Sequence, residues 1–147
     1  MPREFKTILC PTDFSEDSCR AIEYGVRFAR VSGGTVILAH IIHVPSGELY
    51  QPERPTLNFE EAKARARTLL EDIRQKCTGG YPKCELLVEF GDPHEQLLGI
   101  AKRRNVDLIV TATHGRSGID HLVMGSVAEK VIRHAPCPVF VVRRGAA

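Results

Sequence analysis

The run Thr35-Val36-Ile37-Leu38-Ala39-His40-Ile41-Ile42 restricts the fold of this chain more than any other stretch. It is almost continuously apolar and rich in β-branched residues, so a strand built from it has no face to offer to water. Strands of that kind sit inside parallel sheets that helices cover on both faces. Four further runs read as strands: Phe5 to Cys10 continuing into Pro11-Thr12-Asp13, Cys84 to Phe90, Leu108 to Val110, and Val139 to Val142.

Helical patterns separate these runs. Phe14 to Ser18 is rich in helix-start residues, and Ala21, Ile22, Gly25, Phe28 and Ala29 follow at helical spacing before Gly33-Gly34 ends the segment. Asn58-Phe59-Glu60-Glu61 has cap spacing and starts a helix to about Cys77, ahead of Gly79-Gly80. Asp92-Pro93-His94-Glu95 combines a cap aspartate, a first-turn proline and a glutamate. The helix it opens carries Leu97, Leu98, Ile100 and Ala101 inward and ends near Asn105. Gly125-Ser126 precedes Val127, Val131 and Ile132, with Glu129 at capping-box distance from Ser126, and Pro136-Cys137-Pro138 stops that helix. The stretch from Pro45 to Pro55 reads as a loop.

The alternation is βαβαβαβαβ with short links, which predicts an α/β fold: a doubly wound, five-stranded parallel sheet. No internal repeat or linker divides the chain, so residues 1–147 read as one domain. In such folds the ligand crevice lies beyond the carboxyl ends of the strands, where the strand order reverses.

One stretch has the chemistry for such a crevice. After Leu108-Ile109-Val110 comes a small-residue turn, Ala112-Thr113-His114-Gly115-Arg116-Ser117-Gly118, and then the helix start at Gly125-Ser126. Glycine turns let backbone approach a phosphate, and the first N–H groups of a helix carry the positive end of its dipole. Arg116 adds a cationic fork suited to phosphate oxygens. The series Ala112-x-x-Gly115, nine residues, Gly125-Ser126 resembles the G-x-x-G-x9-G-[ST] nucleotide motif of the universal stress protein family. The opening ILCPTDFS and the closing GSVAEKVIRHAPCPVFVV are similar to that family as well, so the resemblance spans nearly the whole chain. Ala112 stands where the motif has its first glycine.

The resemblance implies strand order 3-2-1-4-5, an adenine-nucleotide alpha-hydrolase-like fold, and ATP as ligand, with Mg2+ (or Mn2+) carried by the nucleotide. It sets Pro11, Thr12 and Asp13 beside Thr111, Ala112 and Thr113, with adenosine contacts at Asp13 and an adenine slot formed with Ile41. Gly115, Arg116, Gly118, Gly125, Ser126 and Val127 become phosphate candidates, with His114 adjacent. It further implies a homodimer made by pairing Val139–Val142 with its copy. Four consecutive apolar residues at a sheet edge would otherwise need covering. The function expected is a dimeric, nucleotide-dependent switch in stress response, in which nucleotide orders the turn from His114 to Met124 for an unidentified protein partner. The alternative is a member that binds no nucleotide and serves as a dimeric interaction module.

Other classes fare worse. A Walker A string is absent. Ser126, His114 and Asp13 can be written as a triad, but their spacing shows no such geometry, so at most slow ATP turnover is expected. A phospho-acceptor receiver domain wants an acidic pair near the chain start and a late lysine, whereas Asp13 stands alone and Arg116 occupies the end region. Net charge is +2, with 43% hydrophobic and 26% charged residues, the balance of a globular protein with no bulk attraction to nucleic acid or membrane. The basic residues between 63 and 83 alternate with acids and apolar residues, and Arg143-Arg144 reads as a solvated chain end. Neither an apolar signal segment nor a run of membrane-spanning length is seen. Five cysteines without a C-x-x-C pair predict reduced thiols in a cytoplasmic protein, with Cys10 and Cys137 in the core and no metal cluster.

Overall fold

A computed structural model describes residues 4–44, 58–113 and 124–143. In chain order the elements are β1 (Thr7–Pro11), α1 (Glu16–Ser32), β2 (Thr35–His43), α2 (Phe59–Cys77), β3 (Cys84–Gly91), α3 (Pro93–Arg103), β4 (Leu108–Ala112), α4 (Ser126–His134) and β5 (Val139–Val142). All strand pairs are parallel and the order is β3-β2-β1-β4-β5. That is the expected doubly wound sheet. A receiver domain has the order 2-1-3-4-5 instead, so that rival is excluded. The expected loop between Pro45 and Pro55 lies outside the described residues.

Helices α1 and α2 cover one face, closing a core around Ile8, Ile22, Val36, Leu38 and Leu70. Helices α3 and α4 cover the other, around Leu9, Ile37, Ile100, Ile109 and Val131. The period of two explains the division: alternate residues of β1, β2 and β4 feed opposite cores. Leu98 of α3 is half-buried, while Leu97, Ile100 and Ala101 take the inward positions. At Gly34 the chain turns into β2 so closely over β1 that a Cβ would overlap the Phe5 carbonyl oxygen and lie 3.0 Å from that of Lys6. Gly33 before it caps α1 at φ +73, a left-handed backbone that favours glycine.

Helix starts follow the expected cap chemistry at three of four sites. Ser15, Asn58 and Asp92 each accept a backbone N–H three residues on, from Ser18, Glu61 and Glu95. The fourth differs. Gly125 is the N-cap of α4, no side chain caps it, and Ser126 is already the first helical residue. The Gly125 N–H donates to the Thr113 carbonyl at 2.7 Å, and its own carbonyl accepts from Glu129 at 3.0 Å. This tertiary tie moves the helix start one residue earlier than the Ser126–Glu129 capping box predicted.

The cysteine expectation also needs correction. Cys19 of α1 and Cys77 of α2 form a disulfide, so the thiols are not all reduced, and they lend no support to a cytoplasmic placement. The two helices pack on one face of the sheet and bring residues 58 apart in sequence to a Cα separation of 5.6 Å. Cys10 and Cys84 are free thiols; Cys10 is fully buried, and Cys137 packs beside the α3–α4 core. Burial raises the Cys10 thiol far above its usual range, and burial pushes Cys84 up to about 11. Both therefore stay protonated near neutrality and are poor partners for thiol–disulfide exchange. No helix among the described residues is long and apolar enough to cross a membrane.

Closing a loop of this length stabilises the fold by up to about 4 kcal/mol in the chain-entropy picture. The Cys19→Ser, Cys77→Ser variant is expected to melt roughly 10 °C lower than the oxidised protein. An unchanged melting temperature, measured by circular dichroism without reductant, would show that the bridge constrains nothing the helices do not already hold.

Candidate functional site

The site begins with a missing hydrogen-bond donor. Successive residues of a strand direct their backbone groups to opposite neighbours, and the Thr12 N–H donates to Ala39 of β2 at 2.9 Å. Pro11 therefore faces β4, and proline has no N–H to give. Pairing between β1 and β4 stops at Leu9↔Ile109, while β1 continues along β2 to Pro11↔Ala39 and β4 along β5 to Ala112↔Val142. The two central strands part at their carboxyl ends, where the strand order reverses.

A cavity of about 280 Å³ occupies that parting. Its lining includes Pro11, Thr12, Asp13, Ile41, Ala112, Gly125, Ser126 and Val127, all named from the sequence. His114, Gly115, Arg116 and Gly118 lie outside the described residues. Thr111 and Thr113, expected beside Pro11-Thr12-Asp13, line the cavity too, as do Ser18, Ala39, His40, Pro93, Leu97 and Ala128, which the sequence reading missed. Pro93 had a sequence signal, since it opens a helix at the strand end. Ser18 and His40 had none, because helix and strand patterns alone put them in elements rather than at a site. Ala112 ends β4 rather than starting the turn, and its methyl packs against the α1–α2 core while the residue borders the cavity.

Pro11, Ala39, Ile41 and Leu97 give the lining an apolar part. Another corner presents backbone N–H groups. Helix α4 starts there with Ser126, Val127 and Ala128 on the lining, and the N–H groups of a first helical turn have no intrahelical partner. The corner therefore carries the positive end of the α4 dipole without a side-chain cap to neutralise it. The Asp13 carboxylate, half-buried, accepts the Ser15 N–H at 3.0 Å; a carboxylate has further lone pairs for ligand donors.

Behind Asp13 lies a network built on Thr12, which is 5% exposed. Its hydroxyl accepts the Phe14 N–H at 3.0 Å and meets Ser18 Oγ at 2.9 Å. Ser18 Oγ itself donates to the Ser15 carbonyl at 2.8 Å, so the Thr12 proton points to Ser18. The Thr12 carbonyl meets His40 Nδ1 at 2.8 Å. At the start of α3, Asp92, His94 and Glu95 bring ligand atoms within 4.8 Å of one another. Asp92 is engaged as helix cap and with His94 Nδ1, and the positive helix end disfavours a cation there.

The geometry defines a doubly wound α/β protein with a ligand crevice at its switch point. The universal stress protein family model matches residues 4–143, and the chain belongs to that family. Universal stress protein MJ0577 of Methanocaldococcus jannaschii is 30% identical over 159 residues, covering 95% of this chain and 96% of that protein. A solved structure of MJ0577 covers 99% of this chain and 100% of its own with a TM-score of 0.81 at 31% identity. A Thermus aquaticus universal stress protein is 33% identical over 141 residues, covering 95% of this chain and 99% of its own. The Archaeoglobus fulgidus universal stress protein, solved in complex with dAMP, covers 96% of this chain and 100% of its own with a TM-score of 0.63 at 25% identity.

Replacing Thr12 by Val keeps its shape but removes the hydroxyl that joins Phe14 to Ser18. Leaving a buried backbone donor unpaired costs about 1–3 kcal/mol. The variant is expected to lose that much in urea unfolding, and a midpoint within error of wild type would mean the network does not brace the loop.

Proposed function

We propose that this chain binds an adenine nucleotide, ATP with a divalent cation carried by the phosphates, in the crevice between β1 and β4. The observation that carries the reading is the pairing of two unlike ends in one cavity: an apolar slot at Pro11 and Ile41, and an uncapped helix N-terminus at Gly125–Val127. A base suits the first and a phosphate chain the second. Asp13 between them would accept hydrogen bonds from nucleoside donors, which on an adenine nucleotide are the ribose hydroxyls and the exocyclic amine. The dAMP complex of the Archaeoglobus fulgidus relative supports the ligand class. The position of Ala112, its methyl packed on the α1–α2 core, favours this reading over a member that has lost its nucleotide.

Within the family setting, the nucleotide would act as a switch in stress response, read by a protein partner, in a homodimer formed through β5. That strand lies at the sheet edge, and Phe140 on it is exposed beside Tyr24 and Phe28. Asp13 and Ser126 line one cavity, and His114 lies outside the described residues; since the spacing of the three shows no triad geometry, turnover is expected to be slow at most.

Calorimetric titration with ATP and magnesium tests the site. Ser126→Asp puts a negative charge at the first position of α4, where the dipole tolerates it in the apo protein but phosphate does not. The expected result is wild-type binding that weakens at least tenfold in Ser126→Asp, with no loss of melting temperature, and an Ala112→Gly affinity within about threefold of wild type, the last two factors being order-of-magnitude expectations. Equal binding by wild type and Ser126→Asp would move the phosphates away from α4, and no binding by the wild type would favour the interaction module.

A further inference from the structure

The segment joining β1 to α1 holds a backbone conformation that its sequence does not favour. Phe14 has φ +68, a left-handed backbone that costs a non-glycine residue about 1–2 kcal/mol. Such a residue persists only where its surroundings hold it, and it marks a segment worth explaining. Several contacts hold it: the Phe14 N–H donates to Thr12 Oγ1 at 3.0 Å, the Phe14 side chain packs on the α1–α2 core, and one side chain of β2 reaches both neighbours of Asp13. The His40 ring lies against the Phe14 ring, with centroids 4.3 Å apart and planes inclined by 35°. From the edge of the same imidazole, Nδ1 donates to the Thr12 carbonyl at 2.8 Å.

Asp13 stands between these two anchored residues. The Thr12 carbonyl belongs to the peptide plane that leads into Asp13, and Phe14 fixes the plane that leaves it. His40 thus touches the residues on both sides of Asp13, at the Thr12 carbonyl and at the Phe14 side chain. Asparagine has a donor near the Nδ1 position but no ring, and phenylalanine has the ring but no donor.

We propose that His40 is a positioning residue, which aims the Asp13 carboxylate at the sugar hydroxyls of the bound nucleotide and so sets discrimination between ribose and deoxyribose. The assignment rests on the nucleotide reading above and narrows it. With the base in the apolar slot and the phosphates at α4, the hydroxyl-bearing sugar lies between them, and an acceptor-only carboxylate recognises donors. A hydrogen bond to a charged acceptor discriminates only when the acceptor cannot swing away, because a mobile carboxylate finds water for the missing hydroxyl.

The experiment is calorimetric titration of the full chain with magnesium complexes of ATP, 2′-deoxyATP and 3′-deoxyATP. Four variants are compared with the wild type: His40→Phe, His40→Asn, Phe14→Ala and Asp13→Asn. Circular dichroism melting confirms that each is folded. The wild type is expected to prefer ATP over at least one deoxy form by roughly tenfold or more, the range for a hydrogen bond to a charged group. His40→Phe and Phe14→Ala bring that ratio toward one, although Phe14 is not on the cavity lining. His40→Asn, which restores the donor, keeps most of it. In an Asp13→Asn background, His40→Phe changes the ratio no further, because both substitutions act through one carboxylate.

A folded His40→Phe variant with the wild-type ratio overturns the assignment while leaving the nucleotide reading intact. So does a wild type that binds all three nucleotides equally. A wild type that binds none of them overturns the nucleotide reading, and this assignment with it.

Discussion

The crevice depends on Pro11 having no N–H. A parallel ladder between β1 and β4 needs a donor at that position, on the side that faces β4, and without it the ladder ends at Leu9↔Ile109. Both strands keep their outer partners beyond that point, so the sheet stays whole on either side while its centre opens. Below the opening, β1 is pinned to β4 by Asp107, whose carboxylate accepts the Lys6 and Thr7 N–H groups at 3.1 and 3.0 Å. The sheet is therefore tied at the amino end and split at the carboxyl end, and the split is where helices α1, α3 and α4 begin.

Backbone groups past the last ladder bonds must find other partners. The loop after β1 supplies them with side chains. The Thr12 hydroxyl serves Phe14 and Ser18, Asp13 serves Ser15, and His40 serves the Thr12 carbonyl. On the β4 side the solution is backbone to backbone, with Gly125 donating to Thr113. The two rims of the cavity therefore differ in kind. One is a braced network of hydroxyls, a carboxylate and an imidazole, and the other is a bare helix start with its dipole exposed.

Several of these features were legible in the residues. The strand from Thr35 is so apolar that only a doubly covered sheet can hold it, and its partners and helices are read from periodicity. The caps at Asn58 and Asp92 lie where short polar side chains precede an acidic first turn. Asp13, Gly125 and Ser126 were found through motif spacing and strand ends, since a crevice at a switch point must be lined by the residues just past each central strand. The failures share one cause. Ser126 looks like a cap when only its own helix is considered, but the bond from Gly125 to Thr113 comes from another element. Cys19 and Cys77 look unrelated because their proximity is created by two helices packing on one face.

By itself, then, the sequence determined the period of each segment, the polarity of its faces and where the chain must turn. Those properties depend on side chains a few residues apart, and they suffice for the element order and for a sheet buried on both sides. The tertiary structure alone decided which cysteines meet, where α4 begins, and that His40 of β2 meets the Thr12 carbonyl and the Phe14 ring on either side of Asp13. Each of those is a contact between segments distant along the chain, made by packing and by the need to satisfy backbone groups past the ends of the ladders.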